Sequence, residues 1–352
     1  MLSGMAAATS LRVNRPFRQG LEGPSNEDRG HRMTEQQPSL RLLDRLREHP
    51  DATPEGAEPL LEGWYFAILG LRLAEPIWDA ASALRLQPIA PRPEAHEIAR
   101  ALKDAESAVV LGRYAMFLGY ELAIAPQVAS AEEAIELGKS FLSLLRVKSF
   151  PDILVPAAIQ SSWSATTLRH VPAHSCDAFL LEDNPNLLQL KDSRAIPASE
   201  LDWTLQNLAV FDVLNKTSPA YNLAVESLCM YNHQSNLRMA AAMLWSGIEA
   251  LFGIKGELTY RLAAYIAALL ESPGPARYEL FCGVRKQYNI RSRIVHGDTS
   301  DLGAIRDHVV VTREILSRLI CRITQDQGVP STEALDALVL EGSGQADGTA
   351  PF

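Results

Sequence analysis

Six consecutive segments between Ser199 and Thr324 repeat their apolar residues at spacings of three and four, and each is closed by residues that end helices. They cover Ser199–Asn215, Pro219–His233, Asn236–Phe252, Glu257–Leu270, Pro275–Ile294 and Leu302–Thr324. The joints are Lys216-Thr-Ser-Pro219, Ser235-Asn236, Gly253 with Gly256, Ser272-Pro-Gly-Pro275 and His296-Gly-Asp-Thr-Ser-Asp301. A period near 3.6 cannot be satisfied by a strand, whose side chains alternate between two faces. This part of the chain is therefore predicted to be helices packed on helices.

The half before it carries a similar but looser pattern. Leu40–Leu46, Ala57–Leu71, Pro76–Leu84, Pro93–Ala125 (broken near Leu111-Gly112) and Ser130–Val147 show helical spacing with alanine-rich filling. Ser149–Pro197 departs from it. There Ile153-Leu-Val-Pro, Ser161-Ser-Trp-Ser-Ala-Thr-Thr and Phe179-Leu-Leu-Glu-Asp-Asn-Pro read as short extended pieces bounded by Pro and Asn. Both ends have tail-like composition. The resulting expectation is a mainly α chain: a disordered tail at 1–37, an N-terminal helical region at 38–148, an irregular, β-containing segment at 149–198, a helical domain at 199–328, and a C-terminal tail at 329–352.

Of 352 residues, 47% are hydrophobic, and the formal net charge is −9. Uninterrupted apolar runs, such as Met239–Trp245, fall far short of the roughly 20 residues of a membrane helix. Cys176, Cys229, Cys282 and Cys321 have neither C-x-x-C pairing nor disulfide-dense spacing, which points to a reducing cytoplasm. Phosphate-loop, dinucleotide, H-E-x-x-H and G-x-S-x-G signatures are missing from the sequence, so it gives no support to ATP hydrolysis, nicotinamide chemistry, zinc proteolysis or esterase chemistry. The acidity also argues against a broad phosphate-binding surface. Yet Ser218–Gly328 holds twelve Lys and Arg against ten Asp and Glu, a surplus of two that leaves −11 for the remainder.

The positive charge concentrates in one place. Arg285, Lys286, Arg291 and Arg293 lie between Glu279 and Asp298 with no carboxylate among them, and Arg291 is followed five positions later by His296 and then Gly297. A five-residue step turns about 140° on an ideal helix. Termination at Gly297, a residue suited to a left-handed cap, is expected to let the His296 ring swing back toward Arg291. An imidazole that moves protons beside a guanidinium that holds phosphate oxygens is the chemistry of phosphodiester cleavage. The spacing alone favours a plainer role, Arg291 as a solvated helix-end cation and His296 as a cap.

The run Tyr288-x-x-Arg291-Ser292-x-x-Val295-His296-Gly297, with Ile248-Glu249-Ala250-Leu251-Phe252 about forty residues upstream, resembles the Apea-like branch of the HEPN superfamily. The resemblance covers about Tyr221–Thr324. It implies a HEPN-type helical bundle that forms a homodimer, with Arg291 and His296 as the catalytic pair of a metal-independent, cofactor-free endoribonuclease of the kind found in toxin, defence and RNA-processing systems. The partner would then be RNA or a nucleotide. Ser292 departs from the Asn, Asp or His that often follows the Arg in active members, although Ser is usual in this branch. The rival expectation is a non-catalytic HEPN module that binds a nucleotide or a protein; a third is a helical scaffold.

Other residues have ordinary readings beside these. Glu249 lies inside an apolar helix and is expected to pair with an arginine, Arg291 foremost. Tyr288 is expected to pack in the core, with base stacking as the minor alternative. Arg285, Lys286 and Arg293 divide evenly between an RNA path and a solvated face. His308 is expected on a helix surface. His170-Val-Pro-Ala-His174-Ser-Cys176 invites a metal but has no second ligand cluster, and reads as a polar loop.

Overall fold

The computed structural model describes residues 63–80, 84–124, 130–184, 194–254, 258–297 and 301–340. The tail expected at 1–37, the helix expected at Leu40–Leu46 and the last twelve residues lie outside the described residues.

Trp64-Tyr-Phe-Ala-Ile-Leu69, expected as part of a helix, is a strand, β1 (Trp64–Leu69), with only Leu69 not fully buried. It joins β2 (Trp78–Ala80), β3 (Leu84–Pro88), β4 (Leu118–Ile124), β5 (Ala157–Ile159) and β6 (Ala178–Leu180) in an antiparallel sheet of order β2-β3-β4-β1-β5-β6. The helices expected over Ala57–Leu71 and Pro76–Leu84 are thus corrected to strands within the described residues. Pro93–Ala125 divides into α1 (Ala95–Ala101), α2 (Ala105–Gly112), a 3₁₀ turn and β4. The cause is burial on both faces. A central strand covered on two sides needs no polar alternation, and a short continuous apolar run then matches a buried helix as well as a strand.

One cover is α3 (Ala131–Ser149), which the spacing predicted. Its start is fixed by a reciprocal capping box between Ser130 and Glu133. A Cβ at Gly138 would lie 2.2 Å from the Phe66 ring, so only glycine lets this helix sit directly on β1. The other cover includes Trp163, whose indole N–H donates to Tyr65 O at 2.8 Å. In the segment 149–198, β6 falls on the expected Phe179-Leu-Leu piece, and β5 follows the expected Ile153-Leu-Val-Pro piece, which itself carries only an isolated bridge from Leu154 to Leu69. Ser161–Thr167, expected as extended, runs instead into α4 (Ala165–His170), whose start Ser164 caps.

Glu121, on β4, is 1% exposed and accepts from Gln87 Nε2 at 2.6 Å, Ser162 Oγ at 2.8 Å and the Trp163 N–H at 2.7 Å. Burial, the largest influence, pushes its carboxyl above the ordinary value of 4.5. Because the folded state holds this proton more tightly, stability is fullest below the unfolded value and is lost as pH rises through the folded one. Glu121→Gln keeps an acceptor for Trp163 and offers an amide to Gln87 and Ser162. It is expected to unfold at higher urea than the parent at pH 8, with the gain disappearing near pH 4. Glu121→Ala strands the Trp163 N–H and should cost about 1–3 kcal/mol.

Beyond the sheet, the expected helices form with no end displaced by more than three residues: α5 (Ala198–Thr217), α6 (Pro219–Met230) with a 3₁₀ turn to His233, α7 (Leu237–Phe252), α8 (Leu258–Leu270), α9 (Pro275–Val295) and α10 (Leu302–Gln325). Residues 332–340, expected as tail, form α11 (Thr332–Leu340), which buries Leu335. The bundle core gathers Phe211, Tyr221, Trp245, Ile248, Ile266 and Leu316. α3 belongs to both halves: Phe141 and Leu145 enter the sheet core, whereas Leu144 and Val147 enter the bundle core. The sheet and the C-terminal helices therefore share an element instead of hanging from a linker.

Candidate functional site

Three helices meet beside Arg291. Trp245 of α7 is fully buried and donates its indole N–H to His308 Nε2 of α10 at 2.9 Å. An indole nitrogen only donates, so Nε2 of His308 accepts and Nδ1 carries the proton, directed at Gln287 Oε1 of α9 at 2.7 Å. The Tyr288 ring meets Trp245 edge to face at 5.3 Å between centroids. One turn further along α9, the Arg291 guanidinium lies over Tyr288 at 5.4 Å and 3.3 Å from Glu249 Oε1.

The Glu249–Arg291 pairing is the one expected from sequence, but its geometry is loose. Both side chains retain 26% exposure, and Glu249 Oε1 and Arg291 Nε are buried atoms without a hydrogen-bond partner. Burial first, then the nearby Glu249 carboxylate, raises the Tyr288 phenol above its ordinary value. Tyr288 is half-buried and packs as expected.

His296 behaves differently from the expectation. Helical geometry continues through it (φ −79°, ψ −3°) and only Gly297 turns left-handed at φ 83°. The imidazole therefore keeps the angular offset of about 140° from Arg291, and no swing back occurs. Among the described residues no hydrogen bond or ion pair joins the two side chains. Helical side chains lean toward the N-terminus, which carries the Arg291 guanidinium back over Tyr288 and away from His296. His296 is exposed and its backbone N–H bonds Ser292 O at 3.0 Å.

Arg285, Lys286 and Arg293 are exposed and Ser292 is half-buried. Arg238, at the start of α7, donates to Ile294 O at 3.1 Å and would lie 3.8 Å from a Cβ at Gly297. It adds a cation beside the end of α9 that the sequence did not single out, since it stands 56 positions from its acceptor. Trp245 and Gln287 were missed for the same reason.

His308 is a correction. It is 2% exposed, not on the surface, and burial lowers its pKa to about 4. With the folded value below the unfolded 6.5, the unfolded chain takes up the proton first as pH falls. Stability is fully present above 6.5 and is lost toward 4, by about 3 kcal/mol. Urea unfolding at pH 7 and pH 4.5 is expected to show this loss, and His308→Gln, which can still accept from Trp245 and donate to Gln287, is expected to remove most of it.

No family model, curated protein or solved structure matches this chain. Among the described residues no group of three or more His, Cys, Asp or Glu is placed to hold a metal ion, and no helix is long and apolar enough to cross a membrane. His170 and His174 contact backbone carbonyls of Thr166 and Leu102 at 2.7 and 3.2 Å. Cys176 is buried.

Proposed function

We propose that the protein is a cytoplasmic, metal-independent endoribonuclease of the HEPN type, working as a homodimer. The observation that carries the reading is the Arg291 guanidinium, which keeps 26% exposure, leaves its Nε without a hydrogen-bond partner and, among the described residues, is ion-paired only with a loosely aligned Glu249 at 3.3 Å. The exposed part of a guanidinium so loosely paired has donors left for a phosphate oxygen. His296 stands exposed at the end of the same helix, among Arg238, Arg293 and the cap at Gly297. Because Arg291 and His296 diverge within one chain, the reading requires a second chain to close the cleft.

In this cleft His296 takes the proton of a ribose 2′-hydroxyl as its oxygen attacks the adjacent phosphorus. The bond to the 5′ oxygen breaks, that oxygen receives a proton, and a 2′,3′-cyclic phosphate remains. Arg291 offsets the charge that develops on the non-bridging oxygens. DNA lacks the nucleophile.

The second reading is a non-catalytic module that binds a nucleotide or protein. It is favoured by the angular separation of the two side chains and by the occupation of Arg291 with Glu249 and Tyr288. Purified protein incubated with RNA in EDTA separates the two. The first expects cutting, cyclic-phosphate ends, loss of cutting on dilution below the dimer range, and a drop of about 100-fold or more in Arg291→Ala. Intact RNA supports the second.

A further inference from the structure

The surface of α9 carries a feature that the catalytic pair does not use. Tyr278 is 69% exposed and Tyr260 of α8 is 58% exposed. Both meet Phe281: Tyr278 stacks at 6.5 Å with 28° between planes, and Tyr260 meets it edge-on at 5.4 Å. The Arg285 guanidinium lies over the far side of the group, 5.4 Å from the Phe281 centroid. Large exposed aromatic rings are costly to leave in water unless something covers them.

Their position on the helix gives them a direction. With about 100° per residue, positions 278, 281, 285, 289, 292 and 296 fall within about 80° of arc, so one stripe runs from the rings through Arg285, Asn289 and Ser292 to His296. From Tyr278 to His296 the stripe is roughly 27 Å long. Lys286 and Arg293 flank it, and Glu279 is the single carboxylate in α9. Arg291 points away, into the Glu249 pocket.

We propose that the Tyr260–Tyr278–Phe281 cluster with Arg285 is a stacking platform for the bases of single-stranded RNA, from which the strand runs along α9 to His296. This deepens, and rests on, the endoribonuclease reading. Rings offer a face to any base and the flanking cations follow the phosphates, the combination that single-strand binding uses. A second copy of the chain, which the endoribonuclease reading places at the His296 end, fits the Tyr278–Lys286 end of α9 poorly. A two-fold axis passing near Arg285 and Lys286 would bring these cations against their own copies.

The probe is a fluorescein-labelled 12-nucleotide 2′-O-methyl oligonucleotide, which cannot be cut because it lacks the attacking hydroxyl. Anisotropy should show binding by the parent protein that a blunt duplex does not compete away. The double variant Tyr278→Ala with Phe281→Ala should weaken it about 10- to 100-fold. Tyr278→Trp should keep affinity and show quenching of the added indole. If circular dichroism finds the double variant unfolded, Tyr278→Ala alone, at an exposed position, is expected to weaken binding about 5-fold or more. Failure of the parent to bind, or unchanged affinity in the alanine variants, overturns the platform. So does conversion of a dimer to a monomer by the double variant, which would make this face a seam between copies. Ring-dependent binding with RNA left intact in EDTA sinks the nuclease and keeps the platform. RNA cutting with an unchanged KM in Tyr278→Ala does the reverse.

Discussion

Changing His296 to alanine is expected to slow RNA cutting by about 100- to 10,000-fold, the contribution of a positioned general acid or base, while unfolding stays within about 0.5 kcal/mol of the parent. The second half of that expectation follows from the structure. His296 is exposed, and its cap contacts are made by backbone atoms: its own N–H to Ser292 O and the Gly297 N–H to Ile294 O at 3.2 Å. An alanine keeps both. The effect should fall on kcat, because the imidazole acts on the proton of the attacking hydroxyl and holds no bound phosphate in the ground state. Gel-resolved initial rates in EDTA alongside urea unfolding provide the measurement. Undiminished cutting by the alanine protein removes His296 from the reaction.

Trp245→Ala is expected to cost about 3–5 kcal/mol, the range for deleting a fully buried large aromatic side chain. Three losses coincide there. The cavity opens in the middle of the bundle core, His308 Nε2 loses the indole donor at 2.9 Å, and Tyr288 loses the edge-to-face partner that holds its ring. Through Tyr288 the change also reaches Arg291, whose guanidinium lies over that ring. Trp245→Phe restores most of the volume but not the N–H, and should recover the larger part of the loss. Urea midpoints measure the cost, and near-ultraviolet dichroism reads the packing of Tyr288. A midpoint unchanged in the alanine variant would mean that the three helices do not depend on this contact.

Legibility from the sequence differed sharply between the two halves of the chain. The six helices α5–α10 were readable because each has one wet face, so its apolar residues recur with the helical period and its ends carry Pro, Gly, Ser or Asn, whereas the short α11 was expected as tail. β1 was not readable, because α3 on one side and Trp163 on the other remove the polar alternation that marks a strand. β2, with three residues, is too short to show a period. The Glu249–Arg291 pairing was readable from a charge placed inside an apolar helix. The burial of His308 was not, because it depends on Trp245 and Gln287 arriving from two other helices.

By itself, the sequence determined the helices α5–α10 and the cation-rich stretch of α9, since both follow from the local period of single helices. Tertiary structure alone decided that the N-terminal half holds a sheet, that Arg291 Nε goes without a partner beside Glu249, that the His296 ring stays off the Arg291 side, and that His308 is neutral in the core. Those outcomes depend on which surfaces exclude water, and that is settled only when elements far apart in the chain pack together.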